Sequence, residues 1–158
     1  MAIFRYRAPA RGNVMSDRPL PVPLLPGWLR WLAAGALAVF LFYVSIVTVP
    51  PETAVDTARP SLLQLDKWRH LLAYAALGGS LAYALADSDF GRRRQATAVF
   101  LVTVAYGVGI ESGQSFLPKR YFSLGDAYAN ALGAVIAMTW YALRPYLTLV
   151  PVAALLDR

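Results

Sequence analysis

The chain has 158 residues, of which 58% are hydrophobic and only 15% charged, with a mean hydropathy of +0.46; a water-soluble domain devotes about a quarter of its positions to charge. It contains no cysteine and a single histidine, which excludes a disulfide framework, thiol catalysis and any multi-histidine metal site. The net charge of +6 is explained more economically by membrane orientation than by nucleic acid, which is not expected as a partner.

Residues 1–27 are rich in Arg and Pro, with Pro19, Pro21, Pro23 and Pro26 closely spaced, and read as a disordered or extended tail. Met15 offers a second start that would remove much of it. The first apolar run, 28–49, ends at Pro50-Pro51 and is long enough to cross the roughly 30 Å of hydrocarbon. It exceeds a usual signal-peptide core and lacks a persuasive small-residue cleavage site, so it reads as a retained span. Further apolar segments follow at about 68–86, 96–116 and 126–143, and Pro145 disfavours helix at Arg144. The remainder, 144–158, is too short to span and reads as a cytoplasmic or interfacial tail.

The expected fold class is therefore all-α, a four-transmembrane-helix bundle occupying 28–143. Orientation follows from the basic residues. Arg5, Arg7, Arg11, Arg18, Arg30, Arg92, Arg93, Arg94, Arg144 and Arg158 fall on one side, against Arg59, Lys67, Arg69, Lys119 and Arg120 on the other. The positive-inside rule then places both termini in the cytoplasm and the loops 50–67 and 117–125 outside.

Polar residues inside apolar spans are expensive and tend to face a protein interior or a wet cavity. Asp66, His70 and Tyr74 are four apart and share one helical face. Asp66 and His70 can be read as a carboxylate holding a proton-transferring or headgroup-binding histidine, or as a helix cap beside an ordinary interfacial histidine. Glu111 lies about 8 Å inside the expected end of the third span, with Gln114 three residues on, and a carboxylate there needs a cation, hydrogen bonds or a raised pKa. Arg120, after the turn at Pro118, is the expected counter-ion. Ala105, Gly109 and Gly113 form a small-residue series suited to packing. On the fourth span Asp126, Asn130 and Gly133 share a face, Ala129, Gly133 and Ala137 permit close approach, and Ser123 with Asp126 matches a capping box. Each feature has an ordinary explanation; their convergence at one depth on the outer side favours a shared polar site.

The ordered set Asp66-Lys67-x-x-His70, Glu111-x-x-Gln114, Pro118-x-Arg120 and Asp126-x-x-x-Asn130-x-x-Gly133 resembles the VanZ-like family of bacterial integral membrane proteins, over roughly 28–143. Lys119 departs from the small residue that often precedes the family's Arg. The family takes its name from a protein associated with resistance to teicoplanin, which implies a connection to the cell envelope of a bacterial cytoplasmic membrane. Many members are not resistance determinants.

The leading functional expectation is a small cell-envelope membrane protein. Its outward pocket, built from Asp66, Lys67, His70, Glu111, Gln114, Arg120, Asp126 and Asn130, would bind a lipid headgroup, a lipid-linked envelope precursor or a glycopeptide-like molecule. Lys67 and Arg120 would attract phosphate or carboxylate, and Trp68, Tyr121 and Phe122 suit the membrane interface. A second reading is a membrane-embedded enzyme with His70 and Glu111 as acid/base groups. A third is a lipid transporter, which would need homo-oligomerisation to build a pathway and lacks inverted repeats. A metal site from Asp66, His70, Glu111 and Asp126 is conceivable, but spacing alone assigns neither metal nor cofactor. A polar cluster that only fixes helix register is the plain alternative.

Overall fold

The computed structural model describes residues 19–48, 65–118 and 121–156, and it is predominantly helical. A short strand β1 (Leu20–Leu24) precedes helix α1 (Gly27–Phe42), which runs on through a π turn, Tyr43–Val47. Helices α2 (Leu65–Ala84), α3 (Arg92–Gln114) and α4 (Leu124–Ala137) follow. The chain ends with a short helix α5 (Thr139–Leu143), a 3-10 turn at Arg144–Tyr146, strand β2 (Leu147–Pro151) and a final turn of helix, α6 (Val152–Leu156).

Two stretches are long and apolar enough to cross a membrane: Gly27–Val47, of 21 residues, and Arg92–Gln114, of 23. The other two expected spans take a different form. Helix α2 has the length but opens with Asp66, Lys67 and Arg69. Helix α4 has 14 residues and gives way to α5 at Met138. There the N–H of Met138 bonds Val135 and the N–H of Tyr141 bonds Met138, three-residue steps that tighten the helix.

Helix α2 lies at the centre, packed against α1, α3 and, most closely, α4. Small residues set that last approach. A Cβ at Gly133 would run into the carbonyl oxygen of Leu71 and come within 2.8 Å of the Ala75 nitrogen, both backbone atoms of α2. Further along the seam, a Cβ at Gly78 would meet the Ala137 methyl at 2.7 Å. Ala129, Gly133 and Ala137 are all buried, as their spacing suggests. The series on α3 behaves differently. Ala105 and Gly109 are exposed, and the glycine that admits a neighbour is Gly107, where a Cβ would fall 3.0 Å from both Asn130 and Tyr74. Spacing alone marks a stripe of small residues but not which stripe faces inward.

Large apolar side chains point outward: Leu32, Val39 and Phe40 on α1, Leu101 and Val102 on α3, Leu132, Val135 and Ile136 on α4. Buried positions include Arg30, Thr103, Glu111, Gln114, Asp126 and Asn130. Apolar packing within the bundle is modest, centred on Leu41, Tyr74 and Leu77 and on Ala82, Val99 and Tyr141. A polar interior with an apolar exterior suits a hydrocarbon solvent, where outward-facing Leu and Phe cost nothing.

Residues 19–26, the described part of the expected Pro-rich tail, are more ordered than their composition suggests, while 1–18 lie outside the described residues. Strand β1 pairs in parallel with β2, Leu20 opposite Leu147 through Leu24 opposite Pro151, so the segments flanking the helices meet at one end of the bundle. Tyr83 fastens this corner: its hydroxyl donates to the Pro23 carbonyl at 2.7 Å and accepts from the Leu25 N–H at 3.0 Å. Arg30 lies beside it, 2% exposed, its guanidinium 5.7 Å from the centre of the Tyr83 ring. Nη1 donates to the carbonyls of Tyr83 and Ala84 at 2.9 and 3.2 Å, and Nη2 pairs with Asp87. Arg30 thus caps the carboxyl end of α2, where helix carbonyls lack internal donors and the dipole favours a cation. The hydrogen bond from Arg30 holds the Asp87 carboxyl below its usual pKa.

Candidate functional site

At the opposite end of the bundle, three helices bring polar side chains into contact. Helix α2 contributes Asp66, Lys67, His70 and Tyr74 at helical spacing. His70 is the hub. Its Nδ1 lies 2.9 Å from Asn130 Oδ1 on α4 and 3.7 Å from Glu111 Oε1 on α3, and its Nε2 lies 3.8 Å from Asp66 Oδ1. With the amide oxygen of Asn130 toward the ring, Nδ1 is the donor in that contact, and Nε2 is the nitrogen turned toward Asp66. The Tyr74 ring lies parallel to the imidazole, within 3°, at a centroid distance of 6.4 Å, and Gly107 makes room for both Tyr74 and Asn130.

Glu111 is wholly buried. Its Oε2 accepts a hydrogen bond of 3.3 Å from the N–H of Ser123, the residue that caps α4. Its Oε1 has no hydrogen-bond partner among the described residues. The expected counter-ion Arg120 and its neighbour Lys119 lie outside the described residues. What sequence reading missed is Ser123: a backbone N–H freed at a helix start is a natural partner for a carboxylate, but nothing in the spacing ties it to Glu111. The capping box itself is present, with Asp126 N–H donating to Ser123 Oγ at 3.2 Å.

Lys67 and Asp126 form an ion pair across the α2–α4 seam. Lys67 keeps a quarter of its side chain exposed, while Asp126 is almost covered. Gln114 is buried but stands apart from the cluster, donating to the Ser45 carbonyl at 3.0 Å. It ties α3 to the π turn that ends the first helix. The six residues Asp66, Lys67, His70, Glu111, Asp126 and Asn130 therefore form one connected group, and Gln114 has its own partner.

Beside Lys67 an apolar groove of about 260 Å³ runs between α2 and α4. Trp68, Leu71, Gly125, Tyr128, Ala129 and Leu132 line it together with Lys67. The arrangement can hold an anion at Lys67, pass a proton between His70 and a carboxylate, and hold an apolar chain alongside. Two nearby serine hydroxyls are engaged with backbone: Ser115 Oγ donates to the Ser112 carbonyl, and Ser123 Oγ accepts from the Asp126 N–H in the helix cap.

A family model described as VanZ/LLP1 matches residues 31–145. The chain belongs to the VanZ/LLP1 family. No curated protein and no solved structure matches it. The matched region holds every residue of the polar group and all four long helices except the first turn of α1. Arg30 and both short strands fall outside it, so the strand pairing and the Arg30 cap flank the family region.

Proposed function

We propose that this VanZ/LLP1 family member is a four-helix integral membrane protein of the bacterial cytoplasmic membrane, with both termini in the cytoplasm. Its outward polar site would bind the headgroup of an anionic lipid or lipid-linked envelope precursor. The domain boundaries that go with this are a 1–27 cytoplasmic segment, a 28–143 membrane domain and a 144–158 carboxyl segment. The basic asymmetry supports the orientation. The pairing of β1 with β2 at one end agrees with four crossings, an even number that returns the chain to its starting side.

One observation carries the binding reading: Lys67 sits where a polar group meets an apolar groove. The groove is lined by Trp68, Leu71, Tyr128 and Leu132, and His70, Asp126 and Asn130 lie behind Lys67. A lipid presents the complementary pattern, a phosphate joined to hydrocarbon. Lys67 would meet the phosphate while the chain lies along α2 and α4 in contact with the bilayer. A glycopeptide-like molecule would use the polar group but not the groove.

Native mass spectrometry of gently extracted protein tests the reading. A retained anionic lipid or precursor is expected, reduced in Lys67→Ala and in the groove variant Leu132→Lys. Retention unchanged in both would remove the reading. Orientation is tested by single cysteines in this cysteine-free chain. Labelling at position 119, and not at 92, by an impermeant reagent on intact cells is expected; the reverse pattern overturns the orientation.

A further inference from the structure

We propose that Asp66, His70 and Asp126 form a divalent-cation site, with His70 Nε2 and one oxygen from each aspartate as ligands. One ligand atom from each of the three residues lies within 4.8 Å of the other two, and Nε2 is the ring nitrogen beside Asp66, 3.8 Å from its Oδ1. Ligand bonds of about 2.0–2.2 Å would draw them closer by an ångström or so, and the Asp66 side chain, half exposed, is free to make that adjustment.

The orientation of the imidazole fits the role. Metal-binding histidines present one nitrogen to the ion and donate the other N–H to a carbonyl or carboxylate that fixes ring and tautomer. Here Nδ1 faces the Asn130 carbonyl at 2.9 Å with Glu111 Oε1 behind it at 3.7 Å, and Nε2 faces the aspartate side. Glu111 is the independent pointer. It is fully buried, and its Oε1, without a hydrogen-bond partner among the described residues, faces Nδ1 and so backs the ring from the nitrogen that is not beside Asp66.

Charge balance leads to the same place. Asp66 and Asp126 bring two carboxylates to the cluster, and Lys67 is the one ammonium paired there among the described residues. With Lys67 turned aside, the two aspartates match the charge of a divalent ion. One nitrogen and two carboxylate oxygens suit Zn²⁺ or Mn²⁺ better than Mg²⁺, which prefers oxygen alone. Lys67 is then a competitor: its ammonium occupies Asp126, and the ion must displace it toward solvent. The cation site stands independently of the lipid reading, since neither the groove nor any lipid enters the argument.

The test uses the full chain in detergent, stripped with chelator, passed over a lipid-removing column and titrated separately with Zn²⁺, Mn²⁺ and Mg²⁺. Calorimetry should show saturable binding of about one Zn²⁺ or Mn²⁺ per chain, with Mg²⁺ weaker. Asp66→Asn, at an exposed position that leaves the fold intact, should weaken binding at least about tenfold, and Glu111→Gln about tenfold through the ring it supports. Lys67→Ala, which frees Asp126, should tighten it. Absence of saturable binding, or binding that Asp66→Asn leaves undiminished, overturns the site. Because no lipid is present, the result is separate from the fate of the lipid-binding proposal.

Discussion

The two ends of the helical bundle each bury a charged side chain, and they treat it in opposite ways. Arg30 is enclosed by acceptors: two carbonyls at the end of α2 and the Asp87 carboxylate. Glu111, at the other end, has one oxygen held by the Ser123 N–H and the other facing His70 without a hydrogen bond among the described residues. The first arrangement closes a helix end with both terminal nitrogens of the guanidinium, and Nε alone has no hydrogen-bond partner among the described residues. The second retains capacity, around a histidine whose Nε2 lies beside a half-exposed aspartate. A buried charge that spends its hydrogen bonds on backbone reads as a lock, whereas one that shares a partly satisfied group with other titratable residues reads as a site.

That contrast can be broken most directly at Arg30. Arg30→Ala removes three charge-assisted hydrogen bonds and uncaps α2, and hydrogen bonds to a charged group contribute about 1.5–3 kcal/mol each when measured singly. Non-additivity brings the expected loss to about 3 kcal/mol, read by thermal unfolding in detergent, with lipid or metal binding retained in the fraction that folds. A stable Arg30→Ala protein that had lost binding would reverse the assignment of the two ends.

The next largest effect is expected at the seam that joins them. Gly133→Ala places a methyl against the backbone of Leu71 and Ala75, which cannot swing aside as a side chain could. Overpacking of this kind costs about 1–3 kcal/mol. Because α2 and α4 must separate, the His70–Asn130 and Lys67–Asp126 contacts should open with it. Loss of stability with binding intact would show that the polar group does not depend on this close approach.

Smaller changes in stability and larger ones in binding are expected within the polar group itself. His70→Ala and Asn130→Ala each remove one side of a single hydrogen bond, worth about 1 kcal/mol in a membrane bundle. Both proteins should insert normally and reach normal abundance while losing ligand binding at least about tenfold. Misassembly of both, with full binding in the material that does fold, would make the cluster a scaffold.

The smallest effect belongs to Asp87. Its carboxyl is held below the ordinary value near 3.9 by Arg30, so the folded state favours the ionised form. That contribution is fully present above the unfolded pKa and is lost as pH falls through the lowered folded value. Stability should therefore decline below about pH 4, and Asp87→Asn should remove that part of the decline. The side chain is half exposed, so solvent screening keeps the effect slight. An unchanged acid profile in Asp87→Asn would show that Arg30 acts on the helix carbonyls alone.

Much of this molecule can be read from its sequence, because the features concerned are local. The helical stretches follow from runs of apolar residues and from where Pro, Gly and charge interrupt them. The Ser123–Asp126 cap follows from a four-residue pattern. Helical periodicity puts Asp66, His70 and Tyr74 on one face, and Asp126, Asn130 and Gly133 on another. Family membership follows from the order of those polar residues along the chain.

What only the tertiary structure decided is which groups meet. Lys67 finds Asp126, Glu111 finds the Ser123 N–H, and Gln114, which periodicity places beside Glu111, turns instead to Ser45 on another helix. Arg30, one of ten basic residues on its side by count, becomes the cap of a helix 53 residues away, and a proline-rich tail becomes a strand paired with the far end of the chain. The reason is geometric. Spacing along a helix determines which residues share a face, but the rotation and depth at which two helices settle depend on where backbone can approach backbone. Here that is decided at Gly107 and Gly133, by contacts between residues distant in sequence.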